Sequence, residues 1–345
     1  MNNKKSNEKN AVIFGGAGFI GCFFACHLIE EHGFKKVYLF DNEPISSKEF
    51  EYRKNLIQSH SGIVMISGDV KKKIDWLPDV TISLIANFAA VHREPGHDNF
   101  EYYECNLLGA ENVCEWANLI DCKQIIFSSS IAPYGPSESV RDEKSIPIPL
   151  TAYGGSKLVA EKIHQIWQAK KKDRQLVIVR PGVVFGPSEG GNVTRLIKAV
   201  HGRYFFYMGN RKTRKAGIYV KELCRAMMWV LNSEKSKNDG VTIFNMSMNP
   251  GPSIEEYVNS IARVAKIKIC IPSIPSFLLF FASHFIELVT KPFGIKHPFS
   301  PVRIRKLINS NNILPNYLVE NNYNYKYDLD QALSDWKEDC PDEWC

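Results

Sequence analysis

The stretch Ala11-Val12-Ile13-Phe14-Gly15-Gly16-Ala17-Gly18-Phe19-Ile20-Gly21 decides how the chain is read. Four apolar residues in a row are the pattern of a short strand buried on both faces. The glycines that follow satisfy G-x-G-x-x-G at Gly16, Gly18 and Gly21, and Gly15, Gly18 and Gly21 satisfy the looser G-x-x-G-x-x-G spacing. Without Cβ atoms they permit a tight turn, close approach of a pyrophosphate and close packing of a helix on the strand. A helical pattern runs on through Cys22–His32, and Val37–Phe40 forms a second strand ending at Asp41. The start of that helix, with Phe19 and Ile20 in its approach, turns free N–H groups and the positive dipole end toward a bound anion. Asp41 stands about 20 residues past the last glycine, beside Asn42, where a carboxylate accepts both hydroxyls of an adenosine ribose. A carboxylate there repels a 2′-phosphate, so the expected cofactor is NAD rather than NADP.

Outward from this unit the same alternation continues. Ile63–Ile66, Thr81–Ala86, Gln124–Ser128, Leu176–Arg180 and Val241–Met246 read as further strands, and Asn99–Leu119 and Thr151–Gln168 as helices. Strands alternating with helices imply an α/β fold, a doubly wound parallel sheet with ligands above the strands' carboxyl ends. At those ends lie Asp69 and Val70, the small-residue turn Phe88, Ala89 and Ala90, and Ser128. Asp69 reads equally as an adenine contact or as a helix N-cap before Lys71. Asn106, inside a helix, ties neighbouring backbone together or faces solvent. Beyond Pro181 the pattern loosens and prolines become frequent. The expected division is a tail over 1–10, a dinucleotide-binding domain over 11–188 and about 217–248, and a substrate lobe over 189–216 and 249–345.

Composition narrows the classes of function. The 345 residues are 44% hydrophobic and 23% charged, with a formal charge of +6, ordinary for a globular protein. Basic runs at Lys170–Lys172 and Arg211–Lys215 lack the aromatic interleaving of a single-strand groove, so nucleic acid is not an expected partner. Nine scattered cysteines with no C-x-x-C pair argue against a disulfide framework or a zinc site and fit a reducing cytoplasm. Met1–Asn10 has no apolar core and reads as a tail rather than a signal peptide. Ile274–Val289 contains Phe277-Leu278-Leu279-Phe280-Phe281 but is interrupted by Pro275, His284 and Glu287. A spanning helix needs about 20 mostly apolar residues. The segment therefore reads as a substrate-lobe or interface helix rather than a membrane-surface contact.

Three residues carry the expected chemistry: Ser130, Tyr153 and Lys157. Ser130 closes the run that follows the fifth strand, on the sheet edge expected to hold the cofactor. Tyrosine and lysine four residues apart share a helix face. A phenol titrates near 10, so service as a base near neutrality requires a drop of ~3 units, or ~4 kcal/mol. A unit positive charge ~4 Å away, at an effective dielectric of 20, supplies about that much. Lys157 and the cationic nicotinamide ring are expected to share the task, and the lysine to hold the nicotinamide ribose hydroxyls as well. Ser130 would hydrogen-bond the reacting oxygen and orient it toward Tyr153.

Taken together, Gly15–Gly21, Asp41, Gly68-Asp69-Val70, Asn87–Ala90, Asn106, Ser128–Gly135, Tyr153-x-x-x-Lys157 and Arg180–Pro187 resemble the extended short-chain dehydrogenase/reductases. That group holds nucleotide-sugar epimerases, dehydratases and ketoreductases and the 3β-hydroxysteroid dehydrogenases. The resemblance implies that tyrosine, lysine and serine act as argued, that Pro181 borders the cofactor, and that the C-terminal lobe holds substrate. It also sets Asn192, Arg211–Lys215 and Tyr219-Val220 where relatives grip a nucleotide diphosphate, and Arg180, Arg211, Arg214 and Lys215 are the cations expected to be available to it. Sugar dehydratases carry Asp-Glu directly after the catalytic hydroxyl residue. Ile131-Ala132 stand there, so dehydration is not expected. Many epimerases carry Asn in place of Val183 and Arg-Asp in place of Lys215-Ala216, and these departures look closer to ketoreductases and the steroid branch. The expected function is an NAD-dependent enzyme, in a homodimer, acting at C4 of a nucleotide-activated sugar, with epimerase, ketoreductase and dehydrogenase left open. A steroid-type dehydrogenase and a non-catalytic dinucleotide-binding protein are the rivals.

Overall fold

Seven apolar runs pair into one sheet. They are β1 (Asn10–Phe14), β2 (Lys36–Asp41), β3 (Ile63–Ser67), β4 (Leu84–Asn87), β5 (Gln124–Ser128), β7 (Gln175–Pro181) and β11 (Val241–Met246). Each adjacent pair is parallel, in the order β11-β7-β5-β4-β1-β2-β3. The computed structural model describes residues 8–43, 45, 50–93, 96–275, 277 and 310–344. The apolar run from 278 onward lies outside the described residues.

Both faces of the sheet are covered, which is why the central strands read as unbroken apolar runs. Ala11 and Ile13 face a core shared with α1 (Phe19–His32), α6 (Val220–Asn232) and α8 (Ile254–Ala265). Val12 and Phe14 face the other core, under α3 (Asn99–Leu119) and α4 (Ala152–Ala169). The C-terminal helix Leu329–Asp339 buries Leu333 and Trp336 in the first core, and Trp336 stacks near Phe185.

Two details differ from the sequence reading. The strand expected from Thr81 begins only at Leu84, because the Ser83 N–H and hydroxyl are both given to the Asn10 carbonyl, at 2.9 and 3.0 Å, before the ladder with β1 starts. Short two-stranded pairs outside the main sheet had no counterpart in the reading: β6 (Ser137–Arg141) with Asn311–Ile313, β8 (Val183–Phe185) with β10 (Gly217–Tyr219), and β9 (Tyr207–Met208) with Ser273–Ile274. Runs of two to five residues are too short to show a period.

The strand order reverses between β1 and β4, which opens a crevice above their carboxyl ends. The loops leaving these two strands meet there. A Cβ on Gly15 would lie 2.6 Å from the Ala89 nitrogen.

Candidate active site

The glycine loop is shaped by contact on three sides. Gly15 sits at φ +74°, in the left-handed region, and its N–H donates to the Phe40 carbonyl at 2.9 Å. A Cβ on Gly16 would strike the Leu39 Cα at 2.6 Å, and one on Gly21 the Gly15 carbonyl oxygen at 2.6 Å. These glycines seat the loop on β2 and α1 on the loop. Gly18 is the N-cap of α1, with no side-chain cap and no acidic residue in the first turn, so the helix start keeps its N–H groups for an anion. Asp41 ends β2, and its Oδ2 accepts the Ala17 N–H at 3.0 Å, so ribose site and phosphate loop are bound to each other. Burial raises the Asp41 pKa, and the hydrogen bonds from Glu43, Ala17 and Asn42 backbone oppose that rise. A cradle that a Cβ would fill and an uncapped helix start fit the pyrophosphate of a dinucleotide.

The β4 side of the crevice is Phe88, Ala89 and Ala90, with Phe88 packed on Phe24. Asn106 is buried, which removes the solvent-facing alternative. It accepts the Val91 N–H at 2.9 Å and donates to Ser156 Oγ at 2.9 Å, tying the loop after β4 to α4. Asp69 accepts the Lys71 N–H at 2.9 Å in a turn with no helix behind it, so neither helix nor helix cap forms there. Val70 is buried against Gly109 of α3, and Asn42 is exposed.

Beyond β5, the chain turns at Ser128–Ser130, all three buried. Ser130 Oγ accepts the Ala132 N–H at 3.1 Å, which leaves its own O–H to donate. The turn packs on the first residues of α4. A Cβ on Gly154 would meet the Ala132 carbonyl oxygen at 2.7 Å, so the glycine beside Tyr153 is what lets helix and turn approach. Thr151 caps α4 by accepting the Gly154 N–H at 3.1 Å. Tyr153 is half-buried, its ring 6.1 Å from that of Tyr102. Lys157 is buried with its Nζ 4.7 Å from the centre of the Phe127 ring. Burial pulls its pKa down to about 8, and Cys105 and Glu161 oppose that fall. The ammonium form therefore survives at neutrality.

The cations expected for a diphosphate are differently placed. Arg180 is corrected: it is buried and paired through Nε (2.8 Å) and Nη2 (2.6 Å) with the Glu161 carboxylate, so it is not available to a ligand. An arginine within a strand covered on both faces needs an internal partner, and the sequence did not point to one. Tyr219 is likewise buried and donates to Asp335. Arg211 is exposed and lies 3.4 Å from Glu255. Arg214 donates to the Gly251 carbonyl and stands 3.9 Å from Glu256. Lys215 is largely buried, which lowers its pKa to about 8. Asn192 begins α5 (Asn192–His201) and accepts from Arg195 at 2.8 Å. Pro181 ends β7, and its carbonyl accepts the Ile131 N–H.

The sequence reading missed the polar residues behind the site. Ser129, Glu161, Arg180, Tyr134 and Asn245 form one buried network. His164 stacks on Phe127 and is held by Asn87. The signal was spacing: Tyr153, Lys157, Glu161 and His164 fall on one helix face.

The family model described as "NAD dependent epimerase/dehydratase family" matches residues 11–246. The chain is 28% identical over 246 residues to the N-acetyl-alpha-D-glucosaminyl-diphospho-ditrans,octacis-undecaprenol 4-epimerase of Escherichia coli O157:H7, covering 71% of this chain and 73% of that protein. It is 26% identical over 301 residues to a bifunctional UDP-glucose and UDP-xylose 4-epimerase of Arabidopsis thaliana, covering 78% of this chain and 85% of that one. Among solved structures, the UDP-glucuronic acid 4-epimerase of Bacillus cereus in complex with NAD superposes with a TM-score of 0.74 at 18% identity, over 97% of this chain and 100% of the other.

Proposed function

The chain belongs to the NAD dependent epimerase/dehydratase family, and on that premise we propose that it inverts C4 of a nucleotide-activated sugar. The observation that supports the reading most is that Asn106 ties the loop after β4, which packs on the glycine cradle, to α4, the helix that carries Tyr153 and the buried Lys157 and packs on the Ser130 turn. NAD, when bound, supplies the acceptor and donor of the hydride. The loop Gly15–Gly21 and the α1 start hold its pyrophosphate, and Asp41 takes the adenosine ribose hydroxyls. Tyr153 accepts the proton of the C4 hydroxyl. Lys157, still an ammonium at neutrality, stabilises the phenolate that this requires. Ser130 donates its O–H to the C4 oxygen, and Asn192, Arg211, Arg214 and Lys215 meet the diphosphate. The relatives support epimerisation over net reduction, the direction in which Val183 and Lys215-Ala216 point. A homodimer is supported by the outer face of α3 and α4, where Phe100, Leu108, Val159 and Ile166 are exposed.

A second reading, favoured by particular observations, concerns the carrier. The Escherichia coli relative acts on a sugar diphospho-undecaprenol. Ile146, Ile148 and Leu150, on the segment leading into α4, are 75%, 55% and 69% exposed. Together with the sequence run Phe277–Phe281, they suit a hydrocarbon carrier or its membrane. The test incubates the protein with a UDP-hexose panel and with the same sugars on undecaprenyl diphosphate, following the C4 configuration by NMR. Turnover of UDP-sugars supports the nucleotide reading, turnover of the lipid-linked sugar alone supports the second, and no turnover of either defeats both.

A further inference from the structure

Glu161 is fully buried one turn beyond Lys157, on the same face of α4. Its Oε1 accepts from Ser129 Oγ at 2.5 Å and from Arg180 Nε at 2.8 Å, and its Oε2 accepts from Arg180 Nη2 at 2.6 Å. Arg180 then donates through Nη1 to the Tyr134 hydroxyl at 2.7 Å, with its guanidinium 4.9 Å from the centre of that ring. Tyr134 in turn donates to Asn245 Oδ1 at 2.9 Å. Five segments are joined by this chain of bonds: the end of β5, the turn after Ser130, α4, β7 and β11. Two of them carry groups assigned to the reaction, Ser130 beside Ser129 and Lys157 and Tyr153 on α4, and β7 carries Pro181, expected to border the cofactor, beside Arg180.

Stability does not account for such a pair. Removing two charges from water costs several kcal/mol per ion, and apolar residues of similar volume are often as stabilising or more so. What the pair adds is direction. A carboxylate with a bidentate arginine and a serine hydroxyl has one geometry, whereas an apolar contact tolerates sliding. A shift of about 1 Å between groups that share a proton costs on the order of 10²-fold in rate.

We propose that Glu161, clamped by Arg180 and Ser129, is a positioning residue that sets the register of α4 against the Ser130 turn. It acts through Lys157, Tyr153 and Ser130 and touches neither sugar nor cofactor. The inference rests on the C4 reading of the site.

The test compares wild type with Glu161→Met/Arg180→Met and with Ser129→Ala, reading kcat, KM and thermal midpoint on the best substrate of the panel. The double substitution leaves no unpaired charge, so the midpoint is expected to stay near that of wild type. Its kcat is expected to fall at least 10-fold with KM within about 3-fold. Ser129→Ala removes one hydrogen bond only and is expected to lower kcat about 3- to 10-fold at unchanged KM. A folded double variant with wild-type kcat overturns the proposal. If the double variant does not fold, Ser129→Ala decides, and an unchanged kcat there overturns it. A wild-type protein that turns over nothing refutes the C4 reading, and this inference with it. Equal rates in wild type and variants refute this inference alone.

Discussion

Among single residues, one phenol and one glycine bear most of the proposed chemistry. Tyr153→Phe keeps the ring and removes the group that accepts the proton, so turnover should drop by roughly 10²–10⁴-fold while NAD still binds. Steady-state rates beside NAD titration check this, and an unchanged rate would take Tyr153 out of the mechanism. Gly15→Ala places a Cβ 2.6 Å from the Ala89 nitrogen at φ +74°, whereas Gly33, at φ +67°, has nothing within 4 Å of its Cβ position. Both substitutions carry the backbone strain of roughly 1–2 kcal/mol, but only the first also forces apart the loops leaving β1 and β4. NAD affinity should fall at least 10-fold in Gly15→Ala and stay within about 2-fold in Gly33→Ala. Equal effects would mean that the crevice does not depend on that contact. Residues of this kind were legible because each has a spacing signature, glycines before a helix and Tyr-x-x-x-Lys on one. Arg180 was misread for the opposite reason. An isolated cation in sequence looks available, and only the fold brings Glu161 to it.

At the scale of elements, β4 and α4 are joined by a hydrogen bond that titrates. His164 donates from Nδ1 to the Ala160 carbonyl at 2.8 Å, so its Nε2 is the acceptor for Asn87 Nδ2, at 3.2 Å. The ring must therefore be neutral, and burial holds its pKa down to about 4. The unfolded chain takes up this proton near pH 6.5 and the folded one near 4, so stability is intact above 6.5 and is lost as pH falls between the two. From pH 7 to pH 5 this one group costs about 2 kcal/mol. Urea midpoints at the two pH values should show that loss in wild type and a smaller one in His164→Gln; equal losses would place the acid sensitivity elsewhere. The inner strands of the sheet were readable because a strand covered on both faces must be apolar throughout, and the half-exposed edge strand β3 was readable from its β-branched, apolar run Ile63–Ile66. The short pairs β6, β8 and β10 were not, since their partners lie far along the chain and nothing local records them.

For the whole molecule, the exposed apolar side chains on α3 and α4 call for a cover. Glu104, Glu111 and Glu115 of α3 and Lys162 of α4 accompany them, so a second copy laid across the same two helices covers the apolar area and leaves these charges to a solvated rim. Val159→Glu/Ile166→Glu should convert a dimer to a folded monomer in sedimentation equilibrium. A wild-type monomer, or a double variant of undiminished mass, would contradict that placement. Among the described residues no helix is long and apolar enough to cross a membrane. The central claim is that C4 loses and regains its own hydrogen within one crevice while Tyr153 handles the proton. Its most direct measurement incubates the protein in ordinary water with a substrate sugar deuterated at C4, following isotope and configuration by mass spectrometry and NMR. The account predicts the C4 epimer with its deuterium retained and no accumulation of free reduced nicotinamide. An epimer that has exchanged its deuterium for solvent hydrogen, or a released 4-keto sugar with reduced nicotinamide in step, would contradict it.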